Sequence, residues 1–183
     1  PKFDLYFADF ECFVTGEKHQ PFCICYEGVR DTHTSYFYGT DCRGRFLNML
    51  DSRGKDCIVY FHNLGYDGRF LIDGDVEDVI IKGNAIYQMA LRRKNPQTNK
   101  EFRIIFRDSL ALIPSRLANF PTMFQLQLVG PKEIFPYHYY NEHTMCTGCR
   151  IGIGNDEKPQ WTGDEKDHFE QNLRELGLLH SDG

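Results

Sequence analysis

The stretch that decides the fold is residues 57–72, which read CIVYFHNLGYDGRFLI. Residues 57–61 form an apolar run with β-branched members, a pattern typical of a buried strand, and residues 69–72 predict a short apolar helix. α/β proteins place chemistry where a strand ends and a helix begins. The link between strand and helix carries an imidazole, an amide, a phenol and a carboxylate, which belong to His62, Asn63, Tyr66 and Asp67.

Two interpretations of this link are open. In the first it is a functional turn, in which Gly65 and Gly68 let the backbone bend closely around the polar side chains. In the second it is an ordinary polar connection, in which Asn63 caps the next helix. The stretch alone does not decide between them.

A second carboxylate-bearing segment lies near the start of the chain. Residues 2–11 have the composition of a strand, so Asp9 and Glu11 point to the same face. Two carboxylates in one small space repel each other, and a divalent metal such as Mg²⁺ or Mn²⁺ removes that conflict. The alternative is an exposed strand end. If the Asp67 turn lies beside this strand, three carboxylates converge, as two-metal phosphodiester hydrolysis requires.

Three motifs carry a resemblance to a known family. Residues 8–11 (ADFE) and 60–67 (YFHNLGYD) resemble the first two exonuclease motifs of family B DNA polymerases, and the His-Asn-Leu form is typical of the protein-primed branch. Residues 107–113 (RDSLALI) resemble the Ser/Thr-Leu-x-x-hydrophobic motif of that branch, which contacts the single-stranded 3′ end. The motifs occur in the order that the family shows.

The resemblance implies a 3′–5′ proofreading exonuclease of ribonuclease H-like (DnaQ-like) α/β fold, with a mixed central sheet flanked by helices and Mg²⁺ or Mn²⁺ as cofactor. By motif matching, the catalytic metal ligands are Asp9, Glu11 and Asp67. The residues expected to hold the frayed DNA strand are His62, Asn63, Tyr66, Ser109 and Leu110. The expected partners are a single-stranded DNA 3′ end, the polymerase domain of a parent chain, and a terminal protein primer.

One motif of the family is missing. The pattern needs a third motif, Tyr-x-x-x-Asp, and no tyrosine after residue 113 is followed four positions later by aspartate. We therefore expect residues 1–183 to be a single exonuclease domain whose third motif lies past Gly183, with a loop-rich insertion at 114–161. The alternative is a catalytically incomplete module that binds single-stranded DNA or docks a terminal protein. A ribonuclease or repair nuclease of the same superfamily is a third reading.

Composition narrows the class of protein. The 183 residues are 41% hydrophobic and 14% aromatic, which is enough for a core, and no apolar run reaches membrane-spanning length. The formal charge of −5 argues against a broad basic face that grips duplex DNA. Seven cysteines without regular spacing fit a reducing, intracellular compartment. Cys146 and Cys149, near two histidines, are a weak candidate for half of a zinc site.

The remaining predictions concern secondary structure. Residues 13–20 predict a turn, residues 41–53 a helix, and residues 85–91 a strand. The polar loop predicted at 92–100 contains four basic residues, Arg92, Arg93, Lys94 and Lys100. They predict either a solvated loop or a contact with a DNA backbone, and a solvated loop is favoured because charge runs usually are solvated.

Overall fold

The computed structural model describes residues 3–72 and 75–126, with residues 167 and 171. Within these residues, the strands are β1 (Asp4–Thr15), β2 (Lys18–Gly28), β3 (Ser35–Tyr38), β4 (Cys57–Phe61), β5 (Val76–Lys82), β6 (Ala85–Lys94) and β7 (Glu101–Asp108). The α-helices are α1 (Cys42–Arg53), α2 (Leu64–Leu71), α3 (Ser109–Leu112) and α4 (Phe120–Met123), and Leu117–Asn119 form a 3-10 helix. None of the helices described is long and apolar enough to cross a membrane.

The strands form a mixed sheet in the order β3-β2-β1-β4-β7-β6-β5. β4 lies between β1 and β7 and pairs with both in parallel, whereas β2 with β3, β5 with β6, and β6 with β7 pair antiparallel. The strand before Asn63 therefore lies beside the strand of Asp9 and Glu11, which is the condition for the three carboxylates to lie near one another. The predicted α/β class with a mixed central sheet is confirmed.

The core lies where one face of the sheet meets α1 and α2. Alternate residues of the central strands, such as Phe10, Phe61 and Phe106, turn to this face and pack with Phe46 of α1 and Leu64 of α2. Burial of a large apolar side chain contributes roughly 1.5–3 kcal/mol. This packing stabilises the three central parallel strands, whose carboxyl ends carry the predicted site residues.

The turn predicted at 13–20 is wrong. β1 continues to Thr15, the chain reverses at residues 16–17, and β2 begins at Lys18. Gly16 takes φ +61, the left-handed conformation that a tight reversal needs. The β-branched Val14 and Thr15 favour a strand, so the reversal is shorter and later than the run of polar residues indicated.

The helix after Asn63 begins earlier than predicted. α2 starts at Leu64, and its buried residues Leu64, Asp67, Gly68 and Leu71 follow the i, i+3, i+4, i+7 spacing of one helix face. Gly65 and Gly68 are therefore helical. The chain turns instead at Asn63, which has φ 77 and ψ 58 and whose side chain makes no capping hydrogen bond. The prediction that the two glycines form the bend is wrong because helical periodicity prevails over their turn preference.

The loop predicted at 92–100 is shorter than expected. β6 extends to Lys94 and pairs with β7 as far as Lys94 opposite Glu101. The strand continues because its charges have partners on neighbouring segments: Arg92 lies 3.0 Å from Glu77, and Arg93 lies 2.8 Å from Asp75. These ion pairs argue against a role for Arg92 and Arg93 in binding a DNA backbone.

The contacts divide the chain into two compact units. The first comprises Pro1–Cys12 and Lys18–Arg116, and the second Phe13–Glu17 and Leu117–Gly183. The expectation of a single domain over 1–183 stays a prediction. Most of the predicted 114–161 insertion, and all of the Cys146 and Cys149 pair, lie outside the described residues. The predicted site residues all belong to the first unit.

Candidate functional site

The carboxyl ends of the three parallel strands meet at one edge of the sheet. Phe7 of β1 is opposite Tyr60 of β4, and Phe61 of β4 is opposite Asp108 of β7. The predicted residues follow these positions: Asp9 and Glu11 on β1, His62 and Asn63 after β4, Tyr66 and Asp67 in α2, and Ser109 and Leu110 after β7. Open α/β sheets bind ligands at this edge. Motifs that lie far apart in sequence are therefore neighbours in the fold.

Asp67 is tied to the strand that carries the other two carboxylates. It lies in the first turn of α2 and its residue surface is only 3% exposed. Its Oδ1 accepts a hydrogen bond of 3.2 Å from the backbone N–H of Phe10, the residue between Asp9 and Glu11. This bond holds the start of α2 against β1.

The electrostatics of Asp67 are unusual for an aspartate. Burial raises the pKa of its carboxyl from the ordinary 3.8 to about 7, and the negative charge of Asp9 adds to the rise, as does that of Glu11. The N–H of Phe10 acts in the opposite direction because it favours the ionised form. Without a cation, the carboxyl of Asp67 is therefore only partly ionised near neutral pH.

The chemistry of these donors suits a hard divalent cation. All three side chains supply carboxylate oxygens, which Mg²⁺ and Mn²⁺ prefer, and a cation would relieve the repulsion that raises the pKa of Asp67. In the part of the chain that the structure describes, no group of three or more His, Cys, Asp or Glu side chains is arranged to hold a metal. The three carboxylates are the right kind of ligand for the expected ion, but in the described residues they are not arranged as a complete metal site.

Tyr66 has a partner that the sequence did not point to. Its Oη lies 2.8 Å from Nδ1 of His19, and the two rings meet edge to face with centroids 5.5 Å apart. Burial, followed by a hydrogen bond and charge interaction with the Cys12 thiol, raises the pKa of Tyr66 to about 12, so the phenol stays protonated. No sequence signal marked His19, because residue 19 fell within the predicted turn.

The segments after β4 and β7 are joined by side-chain hydrogen bonds. Ser109 Oγ donates to the carbonyl of Phe61 over 3.1 Å and lies 3.1 Å from Nδ1 of His62. Since the hydroxyl proton goes to the carbonyl, the His62 contact is satisfied when Nδ1 carries the donating proton. The two predicted strand-holding motifs are thus connected to each other.

Asp108 belongs to the motif at residues 107–113, which gave it no predicted role. In the structure it joins the segment after β4 to the segment after β7. It is 5% exposed, and its Oδ1 accepts 2.9 Å hydrogen bonds from the backbone N–H groups of Asn63 and Leu110. Aspartate is a favoured residue type directly before the first residue of a helix, but no helix was predicted directly after residue 108, so this role was not found. Asp108 therefore caps α3 and also contacts the turn after β4.

Two comparisons of sequence place the chain among DNA polymerases. The family model described as DNA polymerase type B, organellar and viral, matches residues 50–174. A probable DNA polymerase from Ascobolus immersus is 27% identical over 136 residues, which are 69% of this chain and 11% of that protein. The chain thus spans about a tenth of this curated relative.

Solved structures show the same fold. Phi29 DNA polymerase complexed with single-stranded DNA matches with a TM-score of 0.62 at 16% identity, over 97% of this chain and 30% of that chain. Phi29 DNA polymerase complexed with primer-template DNA matches with a TM-score of 0.61 at 16% identity, over 97% of this chain and 32% of that one. The ribonuclease H-like fold expected from the resemblance is confirmed.

The sequence motifs, the fold and the family model agree. The resemblance to the exonuclease region of protein-primed family B DNA polymerases is confirmed at the level of the family. Because the model matches more than half of the chain, this protein belongs to the organellar and viral type B DNA polymerases.

Proposed function

We propose that this chain forms the 3′–5′ exonuclease of a DNA polymerase, which removes nucleotides from single-stranded or mispaired DNA 3′ ends. The observation that carries the proposal is that Asp67, whose Oδ1 is bound by the N–H of Phe10 between Asp9 and Glu11, lies at the same sheet edge as the two predicted strand-holding motifs. Family membership and the likeness to a polymerase complexed with single-stranded DNA support it. Proofreading within a longer polymerase is the role that fits best.

The metal ligands in this proposal are Asp9, Glu11 and Asp67. Their oxygens would hold Mg²⁺ or Mn²⁺, which when bound supplies Lewis acidity for phosphodiester hydrolysis. Asp67 serves by its fixed position, since the N–H of Phe10 and the burial of α2 restrain its carboxylate. Hydrolysis of the terminal phosphodiester releases a nucleoside monophosphate.

The strand-holding residues act around the terminal nucleotide. In the proposal His62, Asn63 and Tyr66 contact the DNA from the segment that follows β4, and Ser109 and Leu110 contact it from the segment that follows β7. Backbone N–H groups near Ser109 suit phosphate oxygens, and Ser109 Oγ can still accept a hydrogen bond from a sugar hydroxyl, which positions a strand without reading its sequence. Selectivity for mispaired ends then follows from fraying, because unpairing costs less at a mismatch. A terminal protein primer and the polymerase domain are further proposed partners.

A second candidate is a non-catalytic module that binds single-stranded DNA or docks a terminal protein. The observation in its favour is that the carboxylates, as described, form no metal-holding group of three. This candidate predicts DNA binding that needs no metal and survives loss of Asp9. It predicts no release of nucleotides from the full-length protein.

One experiment separates the two. The full-length protein that carries this sequence is compared with its Asp9→Ala/Glu11→Ala variant, using a 3′-labelled single-stranded oligonucleotide with Mn²⁺ or with EDTA. The exonuclease proposal expects labelled mononucleotide in Mn²⁺ from the unmodified protein, and none from the variant or in EDTA. Binding without cleavage by both proteins, with or without Mn²⁺, supports the module instead.

A further inference from the structure

We propose that Asp108 is a positioning residue that fixes the spacing between the two strand-holding segments, and so sets the affinity for single-stranded DNA. This inference rests on the proposed function. Among the described residues, the buried carboxylates are those of Asp67 and Asp108. Asp67 is assigned to the metal site, whereas the proposed chemistry leaves Asp108 without a task.

The geometry of Asp108 joins segments that are distant in sequence. A single oxygen, Oδ1, accepts from Leu110 two residues ahead and from Asn63, which is 45 residues away. Both hydrogen bonds measure 2.9 Å and both donors belong to backbone. One carboxylate oxygen therefore links the two backbones directly.

Asn63 is a residue that needs such a restraint. It takes φ 77 and ψ 58, a left-handed conformation that non-glycine residues adopt rarely. Its N–H is bound by Asp108, and its carbonyl accepts a 2.9 Å hydrogen bond from the N–H of Tyr66. Strained conformations persist where the surroundings determine them, and they concentrate at ligand-binding sites. Asp108 supplies the restraint on the N–H side, and Tyr66 supplies it on the carbonyl side.

The neighbouring Ser109 does not replace Asp108 in this task. Its hydroxyl donates to the carbonyl of Phe61 and lies beside His62, so it binds the chain before the turn. Asp108 binds the turn itself. Because its residue surface is only 5% exposed, Asp108 acts on DNA through Asn63 and Leu110.

The test measures the affinity of the full-length protein for a fluorescent single-stranded oligonucleotide in EDTA, where cleavage does not interfere. Asp108→Ala removes the acceptor, and Asp108→Asn keeps an oxygen at Oδ1. Asp108→Glu keeps the charge and moves the acceptor by one methylene. We expect Ala and Glu to weaken binding by about tenfold or more, since small misplacements of binding groups are costly, and Asn to bind within about threefold of the unmodified protein.

A double-substitution cycle shows whether Asp108 acts through Asn63. Asn63→Gly removes the side chain and tolerates the same backbone conformation. If Asp108 acts by placing the Asn63 side chain, Asp108→Ala weakens binding less in the Asn63→Gly background than alone. Mn²⁺ affinity, which a general loss of structure would also reduce, should be unchanged in Asp108→Asn and Asp108→Glu.

The outcomes separate this inference from the proposed function. If the unmodified protein binds single strands and Asp108→Ala binds equally well, the inference is wrong and the proposed function stands. It is also wrong if Asp108→Asn binds as weakly as Asp108→Glu, because an acceptor kept in place would then not be enough to maintain binding. If the unmodified protein binds no single-stranded DNA, both proposals fall. If Asp108→Ala does not fold, the difference in DNA affinity between Asp108→Asn and Asp108→Glu still tests the inference.

Discussion

The first turn of α2 and the end of β7 each bury one aspartate, and the two carboxyls have opposite surroundings. Asp67 receives a backbone N–H from Phe10 but faces the negative charges of Asp9 and Glu11, and its pKa rises to about 7. Asp108 receives two backbone N–H groups at 2.9 Å on one oxygen. Burial beside like charges is typical of a functional-site group, which agrees with the metal-ligand role proposed for Asp67, whereas burial with hydrogen-bond donors is typical of a carboxylate that holds the backbone.

The largest expected effect is on catalysis at Asp67. Asp67→Asn keeps the size and the acceptor for Phe10 but removes a charge that a metal ligand needs. In the full-length protein we expect nucleotide release to fall on the order of 1,000-fold, because several kcal/mol of transition-state stabilisation depend on the metal. Asp41→Asn is the matched control, since Asp41 is exposed, precedes α1 and makes no side-chain capping bond. Equal losses of nucleotide release in Asp67→Asn and Asp41→Asn would show that Asp67 has no special part in catalysis.

The second effect concerns the stability of the metal-free protein: Asp67→Asn, which should lower activity, should raise the free energy of unfolding. The pKa of the folded carboxyl, about 7, lies above its ordinary 3.8, so the folded state keeps a proton that the unfolded chain releases. Metal-free protein therefore loses stability as pH rises from about 4 to about 7. Asp67→Asn should remove this loss and raise the free energy of unfolding at pH 8 by on the order of 3 kcal/mol. Thermal unfolding of both proteins in EDTA at pH 5 and pH 8 measures this difference in stability. An Asp67→Asn variant that is less stable than the unmodified protein at pH 8 would contradict the prediction.

At Asp108, loss of the carboxyl group should destabilise the folded protein. Asp108→Ala leaves the N–H groups of Asn63 and Leu110 without their acceptor, which costs about 2–4 kcal/mol if both stay unsatisfied. Asp108→Asn keeps that acceptor and should cost less than about 1 kcal/mol. Chemical unfolding of the three proteins at pH 8 makes the comparison. If Asp108→Ala is as stable as the unmodified protein, the two N–H groups find water and the carboxylate does not hold the backbone.

The smallest effect concerns Asn63. Glycine adopts left-handed backbone without strain but has more freedom in the unfolded chain, so Asn63→Gly should change stability by less than about 1 kcal/mol. In the Asp108→Ala background it should recover part of the lost stability, because the restraint then matters less. Chemical unfolding of the double variant and of Asp108→Ala measures how much stability is recovered. A further loss on adding Asn63→Gly would mean that the Asn63 side chain, and not its backbone, supports the turn.

The sequence was sufficient to identify the central strands. Residues 57–61 form a strand with the bounds that their apolar, β-branched run indicated. The carboxylates and strand-holding motifs fall at one edge because β1, β4 and β7 are parallel neighbours. Local pattern and tertiary arrangement agree here, and such agreement is what makes a segment predictable.

The errors arose where local signals competed. Gly65 and Gly68 favour turns, but the buried face of α2 made them helical and moved the bend to Asn63. His19 was missed because its partner, Tyr66, is 47 residues away in sequence. Spacing along the chain cannot show a contact between a strand and a helix that only the tertiary fold brings together.

The central claim is that the edge formed by β1, β4 and β7 binds a divalent metal beside a single-stranded 3′ end. Its most direct test is a crystal structure of the full-length protein with Mn²⁺ and a short oligonucleotide whose terminal linkage resists hydrolysis. The account predicts anomalous density for Mn²⁺ at Asp9, Glu11 and Asp67, with the 3′ nucleotide against Asn63 and Ser109. Mn²⁺ bound elsewhere, or a 3′ end lying away from this edge, would contradict it.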